Sequence, residues 1–248
     1  MTHQLLDSSL LFFAALVGGG AVLLFGDKMV TRMHLLLTFS GAFIMGLIFL
    51  HLVPEVFSTG DSTIGWYVLC GFVLQVLLEY VSKGVEHGHV HIHDHSTAHA
   101  AFPLSVFISL CLHALIESMP LGGHDHAHHG DHESSLLMGL LIHKIPIAIA
   151  LMGLLIGSGL KKGKAFLMVA IFGLMGPLGI LTYDLIEGLN LGSPEHLFQI
   201  TNGLLIGILL HISTTILFES SDGHRFNLLK LLIIIIGIAL SALTIMGH

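Results

Sequence analysis

The chain has 248 residues, a formal net charge of −7, 54% hydrophobic residues and only 10% charged ones, with a mean hydropathy of +0.89. That composition excludes an ordinary soluble globular domain and places the chain in a lipid bilayer. No basic patch is interleaved with aromatics, so nucleic acid is not an expected partner. The two cysteines, Cys70 and Cys111, both lie in apolar stretches and read as free buried thiols rather than a disulfide framework.

A helix needs roughly 20 apolar residues to cross the hydrocarbon core, and eight stretches are long enough: residues 8–26, 33–57, 63–83, 101–121, 134–157, 163–189, 196–219 and 227–246. Their length and the lack of period-two alternation predict helices, not barrel strands. The first stretch follows "MTHQLLDSSL", which lacks the basic leader of a signal peptide, so it is expected to be retained as a span. Lys28 and Arg32 follow it, Lys83 follows the third span, Lys161, Lys162 and Lys164 the fifth, and Arg225 and Lys230 lie between the seventh and eighth. The opposite connections carry no Lys or Arg. The positive-inside rule therefore predicts an all-α polytopic membrane protein with eight transmembrane helices, both termini extracytoplasmic, and one transmembrane domain over 1–248. The short chain without targeting or glycosylation signals points to a bacterial inner membrane.

Two connections differ from the rest. Residues 86–99, on the cytoplasmic side, carry His87, His89, His91, His93, His95 and His99, and residues 123–133, on the outer side, carry His124, His126, His128, His129 and His132. Imidazoles interspersed with carboxylates suit zinc and its neighbours, and the spacing fits no fixed tetrahedral cage, so weak, exchangeable capture is expected.

Ionisable residues inside a span cost about 3 kcal/mol each on insertion scales and usually mark a pathway. "HLVPE" gives His51 and Glu55, "HALIESMP" gives His113 and Glu117, and "LIHKIPIA" gives His143 and Lys144; Asp184 and Glu187 lie in the sixth span, His211 and Glu219 in the seventh. A spacing of four stacks both members of a pair on one helix face. Counted from the outer boundary, His113 and His143 lie at similar depth, roughly 12–13 Å at the helical rise, and can meet in one plane. Pro54, Pro120 and Pro146 each free a carbonyl one turn earlier, of Leu50, Ile116 and Ile142, so three bends are expected around the passage.

"FSGAFIMGLIFLHLVPE", "HALIES", "HKIP" and "GPLG" resemble the corresponding motifs of the ZIP family of zinc and iron transporters. The resemblance covers essentially the whole chain. It implies a transporter, not an enzyme, that moves a divalent ion toward the cytoplasm, Zn²⁺ first, with Fe²⁺, Mn²⁺, Co²⁺ or Cd²⁺ as alternatives, and needs no organic cofactor. Divalent metal ions and the lipid bilayer are then its partners, and a homodimer is a candidate assembly. His113, Glu117 and His143 match ligands of the family's primary site. His51 and Glu55 lie nearer the outer end of the second span, where they are expected to hand metal inward. Departures are equally informative. Ala114 stands where many members have Asn or Asp, Lys144 where an acidic residue often follows the histidine, and Ile147 where a further ligand is usual, so the second metal site looks dismantled. Lys144 is then expected to act as a charge surrogate for the second metal, its amine pairing with Glu117 when the site is empty. In the seventh span "LFE" replaces a common Pro-Glu pair, which weakens the case for Glu219. A metal exporter of another fold, a non-transporting metal sensor and a membrane metalloenzyme are the competing readings. No HExxH helix and no nucleophile elbow supports the last.

Overall fold

Backbone polar groups in hydrocarbon have no water to bond, so an apolar chain of this length must satisfy them within helices. The computed structural model describes residues 2–58, 60–82, 104–126, 133–190, 192–219 and 228–246, and no strand occurs among them. The elements are α1 (Thr2–Phe25), α2 (Asp27–Leu47), a π-helical turn (Ile48–Leu52), α3 (Val53–Phe57), α4 (Ile64–Ser82), α5 (Leu104–Ser118), a 3₁₀ segment (Met119–His126), α6 (Glu133–Gly157), α7 (Lys162–Gly188), α8 (Pro194–Glu219) and α9 (Leu228–Met246). Eight helical spans are long and apolar enough to cross a membrane, the second built from α2, the π turn and α3 together.

The ends differ from the hydropathy limits. α1 starts at Thr2, and α2 starts at Asp27, so Lys28 and Arg32 lie on helix and not in a loop. A lone Gly26 with φ +58° reverses the chain between them, a conformation that costs glycine little. Residues 123–126, expected in the outer loop, are 3₁₀ helix.

The prolines act in different ways. Pro54 has no N–H to give, and just before it the ladder lengthens: Val53 N–H bonds Ile48 O, five residues back. At Pro120 the α-helix has ended and the chain has tightened into the 3₁₀ turn. α6 continues through Pro146 from Glu133 to Gly157, so the proline stands inside an unbroken helix. Membrane helices tolerate proline where the freed carbonyl faces protein or a hydrated cavity.

Packing sorts the spans. α1 lies on α6 and α7, and α5 lies on α7; α4 lies on α8, and α2 lies on α9 and α8. α2 against α6 and α4 against α5 join these two sets. The second and seventh spans are 67% buried and the eighth only 11%, so α2 and α8 are inner helices and α9 faces outward. Large apolar side chains such as Phe13, Leu185 and Ile235 stand exposed on this outer surface, as lipid contact requires. Cys70 is exposed on α4 and Cys111 is half-buried. The expectation of buried thiols fails because α4 is a peripheral helix whose outer face meets lipid.

Several expectations fall outside the described residues: the 86–99 loop with its six histidines, His128, His129 and His132, the side chains of His124, His126 and Glu219, and the basic residues Lys83 and Arg225.

Helices in lipid gain little from hydrophobicity and must pack closely, often through small residues. Gly203 and Gly207 on α8 have this GxxxG spacing, and Gly71 faces them from α4. A Cβ on Gly207 would lie 2.0 Å from Val68 O, and one on Gly71 would lie 2.2 Å from Leu204 O. Both obstacles are backbone, so neither can swing aside. Gly207→Ala should destabilise the detergent-solubilised protein by about 1–3 kcal/mol, read as a lower melting temperature; an unchanged melting curve would contradict this close crossing.

Candidate metal centre

The centre is built on two helices. α5 carries His113 and Glu117 one turn apart, each 1% exposed, with His113 Nε2 3.0 Å from Glu117 Oε2. α6 carries His143, also 1% exposed, whose ring stands edge-on to that of His113 with centroids 6.2 Å apart and planes at 82°. One ligand atom from each of the three lies within 4.8 Å of the others. Ligands about 2.1 Å from a tetrahedral ion stand roughly 3.4 Å apart, so side-chain adjustments of about an ångström would close the three around one ion.

Lys144 stands next to His143 in sequence but turns to the other oxygen of Glu117. Its Nζ donates to Oε1 at 3.0 Å and the side chain is 0% exposed. The carboxylate is thereby divided: Oε1 faces the ammonium, while Oε2 faces His113 and accepts no hydrogen bond. α7 completes the seat of the lysine. The Phe172 ring centroid lies 5.6 Å from Nζ, within cation–π range. Gly176 keeps the backbone close, since a Cβ there would meet Leu11 Cβ at 3.0 Å and Nζ at 3.6 Å.

Next to the two histidines is a cavity of about 10 Å³, lined also by Leu37, Leu110, Ile147, Ile212 and Ile216. It is large enough for roughly one water. These aliphatic residues lie toward the helix ends that carry Lys28 and Lys161, and they offer no ligand to an ion on that side. Ile147 lies in this wall.

The other sequence-predicted residues are elsewhere. His51 and Glu55 form their own i,i+4 pair at 3.6 Å. His51 is 11 residues beyond Ser40, the α2 residue that touches His143, or about 16 Å along the helix; the structure does not bring this pair to the centre. His211 pairs with Glu79 of α4 and stands edge-on to Phe72 at 5.1 Å. Asp184 accepts from Gln4 Nε2 at 3.4 Å. Glu187 lines a pocket of about 160 Å³ with His196; the His196 ring lies 3.0 Å from the Tyr67 hydroxyl.

Sequence reasoning missed Glu79, Ser40 and Phe172. A search for carboxylates within apolar stretches would have found Glu79 in "LQVLLEYVS". Nothing in spacing marks Ser40 or Phe172, whose roles come from neighbours distant in sequence.

Eight apolar spans enclosing buried imidazoles and a carboxylate define an integral membrane protein with a metal-ligand cluster at its core. The family model described as ZIP Zinc transporter matches residues 82–244, from the end of α4 into α9, and so includes all four residues of the centre. The chain belongs to that family. It is 26% identical over 138 residues to Zinc transporter ZIP9-A of Xenopus laevis, covering 55% of this chain and 44% of that one. It is 27% identical over 156 residues to Zinc transporter ZIP1 of Danio rerio, covering 62% of this chain and 50% of that one. The chain spans about half the length of the curated relatives it matches. Membership sets aside the exporter of another fold.

Removing one partner of a buried ion pair strands the other charge and typically costs about 3–5 kcal/mol, whereas replacing both can be nearly neutral. In the metal-free protein Lys144→Met should therefore lower the melting temperature more than the double variant Glu117→Gln with Lys144→Met. Equal or additive losses in this double-mutant cycle would contradict the pairing.

Proposed function

We propose that this protein carries divalent metal, Zn²⁺ first among candidates, across a membrane toward the cytoplasm through His113, Glu117 and His143. The observation that carries the reading is the convergence of these three buried side chains within 4.8 Å in a chain of the ZIP family. Two imidazoles and one carboxylate favour Zn²⁺, while Fe²⁺, Mn²⁺, Co²⁺ and Cd²⁺ accept similar ligands. Three protein ligands leave a fourth position for water. A transport site needs that openness, since a closed cage would hold zinc structurally.

Lys144 is the charge surrogate in this reading. A second metal would neutralise Glu117; the ammonium on Oε1 does so permanently and leaves Oε2 for the single travelling ion. His51 and Glu55 form an outer station on the way in. The outer histidines His124, His126, His128, His129 and His132 would collect metal, and the cytoplasmic run from His87 to His99 would receive or sense it. Both termini lie outside the cytoplasm in this scheme, a bacterial inner membrane is the proposed host, and a homodimer is the proposed assembly. These last assignments rest on the sequence alone.

Reconstitution in liposomes with a trapped zinc indicator tests the reading. Saturable zinc entry is expected for the parent and at least a tenfold loss for His143→Ala, with a smaller loss for His51→Ala. Binding without flux in the parent would favour a metal sensor, and equal flux in parent and His143→Ala would sink the assigned path. Metal titration of the buried site should saturate at one ion per chain, and Lys144→Asp should admit a second; one ion in both would remove the surrogate role.

A further inference from the structure

Ser40 on α2 is 0% exposed, and its hydroxyl has a single proton to donate. The nearer acceptor for that proton is the backbone carbonyl of Leu37, three residues back, at 3.0 Å, a common engagement of serine within a helix. The oxygen keeps its lone pairs, and Nδ1 of His143 on α6 lies 3.4 Å from it.

Together these contacts select a tautomer. With the serine proton committed to Leu37, a lone pair on Nδ1 would face another lone pair, whereas an Nδ1–H finds an acceptor. A neutral ring protonated at Nδ1 carries its free lone pair on Nε2, the only arrangement in which that nitrogen can ligate a cation. The opposite tautomer would present an N–H to the ion. We propose that Ser40 is a positioning residue that holds His143 as the Nδ1–H tautomer and so makes Nε2 the ligand atom for a divalent cation. The inference rests on the metal-site reading above.

The contact also fixes ring rotation, because Ser40 belongs to a different helix from every residue of the centre and approaches His143 from the α2 side. Metal-ligating histidines regularly donate their second ring nitrogen to an acceptor in this way, and loss of such a partner typically costs 10–100-fold in metal affinity or activity. At 3.4 Å the contact is long for the metal-free protein. Ligation at Nε2 draws electron density from the ring, makes Nδ1–H a better donor and should shorten it.

The test measures Zn²⁺ affinity of the purified full-length protein by competition with a chromophoric chelator, for the parent, His143→Ala, Ser40→Ala, Ser40→Cys and Ser40→Thr. The metal-free melting temperature of each is recorded alongside. Ring-nitrogen NMR of histidine-labelled protein, with the His143 signal identified by its loss in His143→Ala, reports the tautomer. The expected result is a rise of about tenfold in Kd for Ser40→Ala, recovery in Ser40→Thr, an unchanged metal-free melting temperature, and loss of the pure Nδ1–H signature. Should Ser40→Ala fail to fold, Ser40→Cys, of similar volume but a poor acceptor, gives the same readings. Unchanged affinity, or weaker binding with a lowered melting temperature and the Nδ1–H signature intact, overturns the inference. A parent that binds Zn²⁺ no better than His143→Ala overturns the metal-site reading itself, and this inference with it.

Discussion

Glu117 is a carboxylate with 1% exposure inside a bundle whose outer surface is hydrocarbon-seeking. Such a group is tolerable as an anion only where fixed positive charge or strong donors replace the water it has lost. Everything in the centre answers this constraint. Lys144 takes one oxygen, His113 stands beside the other, and α7 contributes the Phe172 face and the Gly176 gap that let a lysine be wholly buried without a second anion among these contacts. A histidine and a lysine side by side in an apolar helix thus serve one carboxylate: Lys144 holds Oε1 of Glu117, and a ligand atom of His143 lies within 4.8 Å of one of its oxygens.

In the proposed reading that arrangement separates structural charge balance from cargo binding. An ammonium tethered to α6 cannot leave, so the charge on one carboxylate oxygen stays compensated whether or not an ion is present. In that reading the other oxygen, with two imidazoles, is left for an exchangeable cation. The aliphatic wall of Leu37, Leu110, Ile147 and Ile216 offers no next ligand toward the basic helix ends. In the proposed reading an ion leaving that way must regain water rather than step to a second protein site, which ties release to hydration of the small cavity next to the histidines.

The sequence conveyed most of this because membrane chemistry is legible: apolar length marks the spans, and ionisable residues within them stand out by cost. His113 and Glu117 follow from the i,i+4 rule and His143 from matching depth. What could not be read depends on tertiary neighbours. Ser40 is an ordinary helix serine until α6 places His143 beside it, and Phe172 is an ordinary core aromatic until Lys144 reaches it. Glu79 sits near a span end, where carboxylates usually meet interfacial water, yet it turns to His211. Helix ends were misjudged at Asp27–Arg32 because hydropathy reports contact with lipid, whereas backbone hydrogen bonding carries a helix beyond it.

The most direct measurement is zinc-edge X-ray absorption on protein loaded with one equivalent of Zn²⁺, with the eleven loop histidines replaced by serine so that only the buried centre reports. The account predicts a shell of two imidazole nitrogens and light oxygen donors at about 2.0–2.2 Å, with one imidazole lost in His143→Ala. An imidazole count that does not change in that variant, or a shell without imidazole in the parent, would contradict a cation held between α5 and α6.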